Sequence, residues 1–168
     1  SQQVRAVLGI VDTQSLQGLR DYAMIALMVT GGLRTIEISR ADIRDMREIA
    51  GQARLYIQGK GKEEKEDYAT LQPEVKTAID AYLARRGETG KDQPLFASTS
   101  NNSTGGRLST RSISGIVKTW LQRAGYNSDR LTAHSLRHTA ITLALLAGKP
   151  MREVQQFARH TSPVITEV

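Results

Sequence analysis

The sequence predicts a mainly α fold carrying one small antiparallel β-sheet, an α+β domain. Three observations predict it. Apolar residues recur at helical spacing in several stretches, most of them closed by a glycine. Paired alternating segments about a turn occur in one place only, between Arg54 and Leu71. The chain has 168 residues, 39% hydrophobic and 24% charged, enough for one cored domain and few for two. No repeat or linker divides it, so residues 1–168 are expected to form a single domain.

From Ser15 to Thr30, Leu16, Leu19, Ala23, Ile25, Ala26, Leu27 and Val29 mark a helix that ends at Gly31-Gly32. A short second helix is predicted from Leu33 to Ser39, anchored by Ile36. Arg54–Gln58 and Asp67–Leu71 alternate as strands around a charged, glycine-bearing turn, a hairpin with a long mobile tip. Pro73 opens a helix to about Arg86, closed by Gly87. Pro94–Ser98 is a short extended piece, and Asn101–Gly106 has the composition of a loop. A cap at Ser109 or Thr110 starts a helix to Ala124, with Gly125 after it. Further helices are predicted for Thr132–Ala147 and Pro150–Arg159, with a last one beginning at Ser162-Pro163.

Composition narrows the chemistry. There is no cysteine, which excludes disulfides and thiolate metal sites and fits a reducing cytoplasm. No apolar run approaches a membrane span, and the opening SQQVRAVLGI lacks the order of a signal peptide, so a soluble cytoplasmic protein is expected. Residues 1–100 hold 14 basic and 14 acidic side chains; residues 101–168 hold 9 and 3, which supplies the whole net charge of +6. A basic half beside a neutral one suits a polyanionic partner, although simple solubility explains the charge equally well.

Four pieces of sequence could carry chemistry. In Ala133-His134-Ser135-Leu136-Arg137-His138-Thr139, helical spacing lets His134 sit beside Arg137 and His138. A guanidinium gives two parallel hydrogen bonds to phosphate, and an imidazole moves protons near neutrality, a pairing suited to a phosphodiester. This segment alone does not separate that role from a polar helix surface, and apolar Leu136, Ala140 and Ile141 favour core packing for His138. Arg34 follows a glycine break, where it can point into a cleft, with Glu37 one turn on to orient its guanidinium; an exposed ion pair is the plain alternative. Gln58-Gly59-Lys60-Gly61-Lys62 puts lysines on a flexible tip, which singly reads as a solvated turn. Ala158-Arg159-His160-Thr161-Ser162-Pro163 places a further histidine at a helix end.

In order and spacing these pieces together resemble the tyrosine recombinases, the phage integrase family. That family has an arginine after T-G-x-R-like text with an acid three residues on, a lysine in a G-K-G hairpin, H-x-L-R-H, and a further histidine before the tyrosine. The resemblance runs from Thr30 to the chain end and implies the DNA breaking-rejoining catalytic-domain fold. It implies that Arg34, Arg137 and His160 bind the scissile phosphate, that Lys60 protonates the departing 5′ oxygen, and that His134 assists proton transfer at the nucleophile. Glu37 and His138 would support that set, and Lys62, Arg107 and Arg111 would contact double-stranded DNA. Recombination would pass through a 3′-phosphotyrosyl intermediate, with no metal or other cofactor, in the service of a mobile element.

Three features depart from the pattern. The family's tyrosine falls just past Val168; the five tyrosines present, Tyr22, Tyr56, Tyr68, Tyr82 and Tyr126, all lie upstream and read as packing residues. Arg159 stands where glycine is common, and the hairpin tip is unusually acidic. The expectation is therefore a fragment that cannot cleave, without the family's N-terminal core-binding domain and monomeric where complete members form tetramers on DNA. A non-catalytic DNA-binding regulator, a type IB topoisomerase and a metal-dependent nuclease are the rival readings. The absence of a carboxylate cluster weighs against the last.

Overall fold

A computed structural model describes residues 2–59, 61–87, 89–126 and 132–138. The elements are α1 (Gln2–Ile10), α2 (Leu16–Gly31), α3 (Thr35–Arg40), a 3-10 turn (Ile43–Asp45), β1 (Met46–Ile49), β2 (Gln52–Ile57), β3 (Asp67–Thr70), α4 (Pro73–Arg86) and α5 (Thr110–Arg123). Residues 133–138 are again helical. The sheet is antiparallel in the order β1-β2-β3. No helix among the described residues is long and apolar enough to cross a membrane.

α2 is the central helix. Met24, Ile25, Leu27 and Met28 are all fully buried, so apolar contact surrounds it on more than one side. It packs along α4 and touches α1 and α5. Its start is fixed by the Ser15 hydroxyl, which accepts the Gly18 N–H at 3.0 Å. Its end is fixed by Gly32 at φ 63, a left-handed turn that glycine adopts without the Cβ penalty. α4 starts at Pro73 and ends before Gly87, as the sequence indicates, and α5 is capped by the Ser109 hydroxyl on the Ser112 N–H at 3.1 Å.

A buried polar node joins these helices. The Arg20 Nε donates to the Asp21 carboxylate at 2.9 Å and its Nη1 to the Ala97 carbonyl at 3.1 Å, while the Trp120 Nε1–H donates to the other Asp21 oxygen at 2.8 Å. Both charges are thus paired and bonded, the condition under which an interior tolerates them. Beside the node, Tyr82 stacks on Phe96 at 6.0 Å and its hydroxyl accepts the Ala97 N–H.

Besides the 3-10 turn, two elements were not expected from the sequence. α1 buries Val4 and Val7 against the core, and Val11 joins them just past its end. β1 adds a third strand, joined to β2 by a tight turn with φ 53 at Ala50 and φ 77 at Gly51. Leu55, Ile57 and Ala69 face the core, whereas the outer face of the sheet carries Tyr56 and Tyr68 at 5.5 Å, with Arg47 over the first ring and Arg54 over the second. Hydrogen bonds flank the hairpin tip among the described residues. The Lys62 N–H reaches the Gly59 carbonyl at 3.2 Å, the Gln58 side chain donates to the Lys62 carbonyl at 2.8 Å, and Lys65 is anchored to Asp42 and Asp45.

Candidate active site

The turn at Gly32 delivers a fully buried Leu33 to the core, and Arg34 follows as the N-cap of α3 with extended backbone angles. Glu37 is buried, and its carboxylate accepts the Arg34 backbone N–H at 2.7 Å. The acid three residues on therefore fixes the main chain at Arg34 rather than acting only on the guanidinium. An anion at the first turn of a helix is also favoured by the positive end of its dipole.

The helical segment 133–138 is capped by a reciprocal pair. Thr132 N–H donates to the Ser135 hydroxyl at 3.2 Å, and Ser135 N–H to the Thr132 hydroxyl at 3.4 Å. Ala133 and Leu136 enter the core, which turns His134 to the surface and carries Arg137 inward to 5% exposure. The Arg137 Nε donates to the Gly32 carbonyl at 2.9 Å. One bond thus ties the second arginine to the turn that aims the first, 105 residues earlier.

His134 and His138 stand edge to face at 4.5 Å, their Nε2 atoms 2.9 Å apart. One nitrogen must carry the hydrogen and the other accept it, so the pair is stable when at least one ring is neutral. His138 is half-buried and bonded to His134, so it does more than fill core space. Desolvation in the cleft, then the charges of His138, Arg137 and Arg34, hold His134 below its ordinary value of 6.5. A neutral imidazole is thereby favoured at neutral pH.

These parts meet in one cleft of about 300 Å³, lined by Leu33, Arg34, Thr35, Ile36, Ser114, Thr132, Ala133, His134 and Arg137. A second cavity of about 480 Å³ is lined by Arg34, Ile36, Glu37, Arg40, Gln58, Gly59, Gly61 and Lys62. Arg34 and Ile36 belong to both, so the hairpin tip borders the same site. Two cationic forks and a neutral imidazole in one small cleft can hold a tetrahedral anion and move a proton beside it.

The phage integrase family model matches residues 1–168. The chain belongs to the phage integrase family. It is 36% identical over 159 residues to the tyrosine recombinase XerC of Haemophilus ducreyi, covering 94% of this chain and 49% of that protein. To XerC of Myxococcus xanthus it is 33% identical over 170 residues, covering 99% and 55%. The chain thus spans about half the length of the curated relatives it matches. Among solved structures, XerA recombinase superposes with a TM-score of 0.78 at 23% identity, covering 99% of this chain and 55% of that one. XerH bound to palindromic difH substrate in a post-cleavage complex gives 0.79 at 21% identity, covering 99% and 46%. The integrase fold read from the sequence is the fold observed.

Of the integrase residues expected from the sequence, the structure brings together Arg34, Glu37, His134, Arg137 and His138. Lys60 and His160 lie outside the described residues, as do the helices expected beyond residue 138. Lys62 is paired with Asp67 at 3.1 Å and with Glu66 at 3.9 Å. Arg107, expected on DNA, keeps a side chain 41% exposed while its guanidinium bonds to the chain. Its Nη2 meets Asp42 at 2.6 Å, and its Nη1 the carbonyls of Ser39 at 2.9 Å and Ala41 at 3.3 Å. Arg111 is exposed on the first turn of α5. Sequence reasoning passed over Thr35, Ile36, Ser114 and Thr132, which line the cleft. Thr35 and Ile36 adjoin Arg34 and could have been included by adjacency; Ser114 has no local signal. Among the described residues no group of His, Cys, Asp or Glu is placed to hold a metal ion.

Proposed function

We propose that this chain supplies the phosphate-binding and proton-transfer parts of a site-specific DNA recombinase, acting on double-stranded DNA in the cytoplasm for a mobile element. The observation that carries the reading is the shared cleft of Arg34, His134 and Arg137, locked by the Arg137 bond to Gly32. In this reading Arg34 and Arg137, with His160, bind the non-bridging oxygens of one phosphodiester and stabilise the charge that grows on them. A tyrosine hydroxyl supplied by the full-length protein attacks phosphorus, and the P–O5′ bond breaks. His134 takes the tyrosine proton, and Lys60 donates one to the departing 5′ oxygen. The 3′-phosphotyrosyl ester keeps the bond energy until a new 5′ hydroxyl attacks and the proton transfers reverse.

The described tyrosines sit elsewhere. Tyr56 and Tyr68 lie on the outer sheet face, Tyr82 stacks in the core, Tyr22 borders α4, and Tyr126 packs against the core margin. The 168-residue polypeptide tested alone is therefore proposed to bind DNA weakly as a monomer without cleaving it, and the full-length protein to act as a tetramer. The test is single-turnover cleavage of a duplex carrying the cognate site by the full-length protein. Arg34→Ala and Arg137→Ala should each lower the rate by about 10²- to 10³-fold, as expected for removing one donor to a developing oxyanion. Covalent protein–DNA complex formed at the normal rate by both variants sinks the proposal.

A further inference from the structure

Lys65 is five positions beyond the lysine read above as general acid, and its ammonium is held by the end of α3 and the 3-10 turn. It donates to the Arg40 carbonyl at 2.8 Å, to Asp42 at 3.4 Å, and closely to Asp45. Its side chain is 22% exposed and that of Asp45 only 4%. Asp45 also accepts the Asp42 N–H at 2.8 Å, and Asp42 holds Arg107 on its other oxygen. Burial alone would raise the Asp42 carboxyl, but the Arg107 hydrogen bond and the charges of Lys65 and Arg107 more than reverse this and leave it below its ordinary value.

The node sits at the C-terminal end of α3, the six-residue helix that begins just after Arg34. A hairpin anchored there by its far arm has its tip referred to the short helix that Arg34 caps. The near arm is fixed by the Gln58 and Lys62 bonds already given, so Gly59 and Gly61 line a cavity together with Arg34. We propose that Lys65 is a positioning residue for the general acid: its clamp on Asp45, Asp42 and the Arg40 carbonyl docks the hairpin tip against α3. The inference rests on reading Lys60 as that acid.

An acid held about 1 Å out of place loses much of its advantage, although the protein still folds and binds phosphate. That loss has a specific signature. Replacing the bridging 5′ oxygen of the scissile phosphate by sulfur gives a thiolate leaving group, which departs without needing a proton. Full-length wild type, Lys65→Met, Lys65→Arg and Lys60→Ala would be compared in single-turnover cleavage of duplexes differing only in that atom. Lys65→Met should slow cleavage of the oxygen substrate by at least about tenfold, part of the ~10²- to 10⁴-fold a general acid contributes. On the sulfur substrate it should return to within about threefold of wild type. Lys65→Arg, which keeps a cation on the two carboxylates, should recover most of the oxygen rate.

Equal slowing on both substrates, or no slowing on either, overturns the role of Lys65. Failure of the sulfur substrate to rescue Lys60→Ala overturns the reading of Lys60 instead, and the two failures are separable. Should Lys65→Met not fold, Asp45→Asn removes the partner's charge at constant size and must show the same oxygen-selective defect.

Discussion

Replacing Asp21 by leucine tests the packing logic of the molecule most severely. Asp21 is 1% exposed and takes bonds from Arg20 on one oxygen and from the Trp120 indole on the other. Among the described residues, leucine leaves Arg20 the Ala97 carbonyl alone and takes away the Trp120 N–H acceptor. Breaking one partner out of a buried ion pair costs about 3–5 kcal/mol. The stranded N–H lies within that range rather than adding to it in full, since contributions in one network do not sum. A loss of about 4 kcal/mol is a large part of the ~5–15 kcal/mol that stabilises a typical domain. With a urea dependence of about 2 kcal/mol per molar, the unfolding midpoint should fall by about 2 M.

The double variant Arg20→Met/Asp21→Leu supplies the internal control. Removing both charges abolishes the uncompensated guanidinium, so the double should be more stable than Asp21→Leu alone, by at least about 1 kcal/mol. Urea melts of wild type, Asp21→Leu, Arg20→Met and the double variant, followed by the fluorescence of Trp120, complete the cycle. If Asp21→Leu costs under about 1 kcal/mol, the scale of an exposed pair, the carboxylate is not the node that joins α2 to α5.

Two further outcomes follow from the site. His138→Gln removes a neighbour whose charge helps to depress His134, so the His134 midpoint should rise towards 6.5 in an NMR titration of its imidazole protons. Because the folded value is depressed, the stability this group contributes is complete above the unfolded value and is lost as pH falls from 6.5 through the folded value. That loss should shrink in the variant; a midpoint that stays or falls contradicts the assignment. Arg111 and Arg107 should differ in DNA binding by the chain. Arg111→Ala should lower the slope of log affinity against log salt by about one phosphate contact, whereas Arg107→Ala should leave it unchanged. Equal slopes for wild type and Arg111→Ala would remove Arg111 from the interface.

The sequence was most legible where one helix face is buried and its ends are punctuated. α2 between Ser15 and Gly32, α4 between Pro73 and Gly87, and α5 after Ser109 were all anticipated within a residue or two. β1 was hidden because Arg47, Glu48 and Ile49 are exposed, so no alternation marks it, and its turn uses Ala50 where asparagine or glycine would have signalled a hairpin. For α1 the signal was present, since Val4 and Val7 are spaced to share one helical face. Arg34, His134 and Arg137 could be named because their local text is distinctive. The fate of Arg107 could not be, because its partner Asp42 is 65 residues away and only the folded chain brings them together. At the acidic tip, Glu66 and Asp67 lie against Lys62, while Lys65 is held from outside the tip by Asp42 and Asp45.

Two guanidinium groups lining one cleft repel each other before any anion arrives, and the fold must offset that repulsion without filling the cleft. It does so from behind. Arg137 is bonded to the carbonyl of Gly32, at the end of α2 where unsatisfied carbonyls and the helix dipole gather negative charge. Behind Arg34, the buried Glu37 carboxylate lies against the backbone of the same residue. Neither Gly32 nor Glu37 lines the cleft that Arg34 shares with Arg137, and Glu37 borders only the adjoining cavity. In the proposed reaction, the non-bridging oxygens gain charge as phosphorus becomes pentacoordinate, so residual repulsion is relieved more in the transition state than in the bound ground state. Donors already fixed by Gly32 and Glu37 need no reorientation at that moment, which is the condition for electrostatic catalysis without a metal ion. The backbone of one turn, Gly32 to Arg34, is therefore as much a part of the site as the side chains it displays.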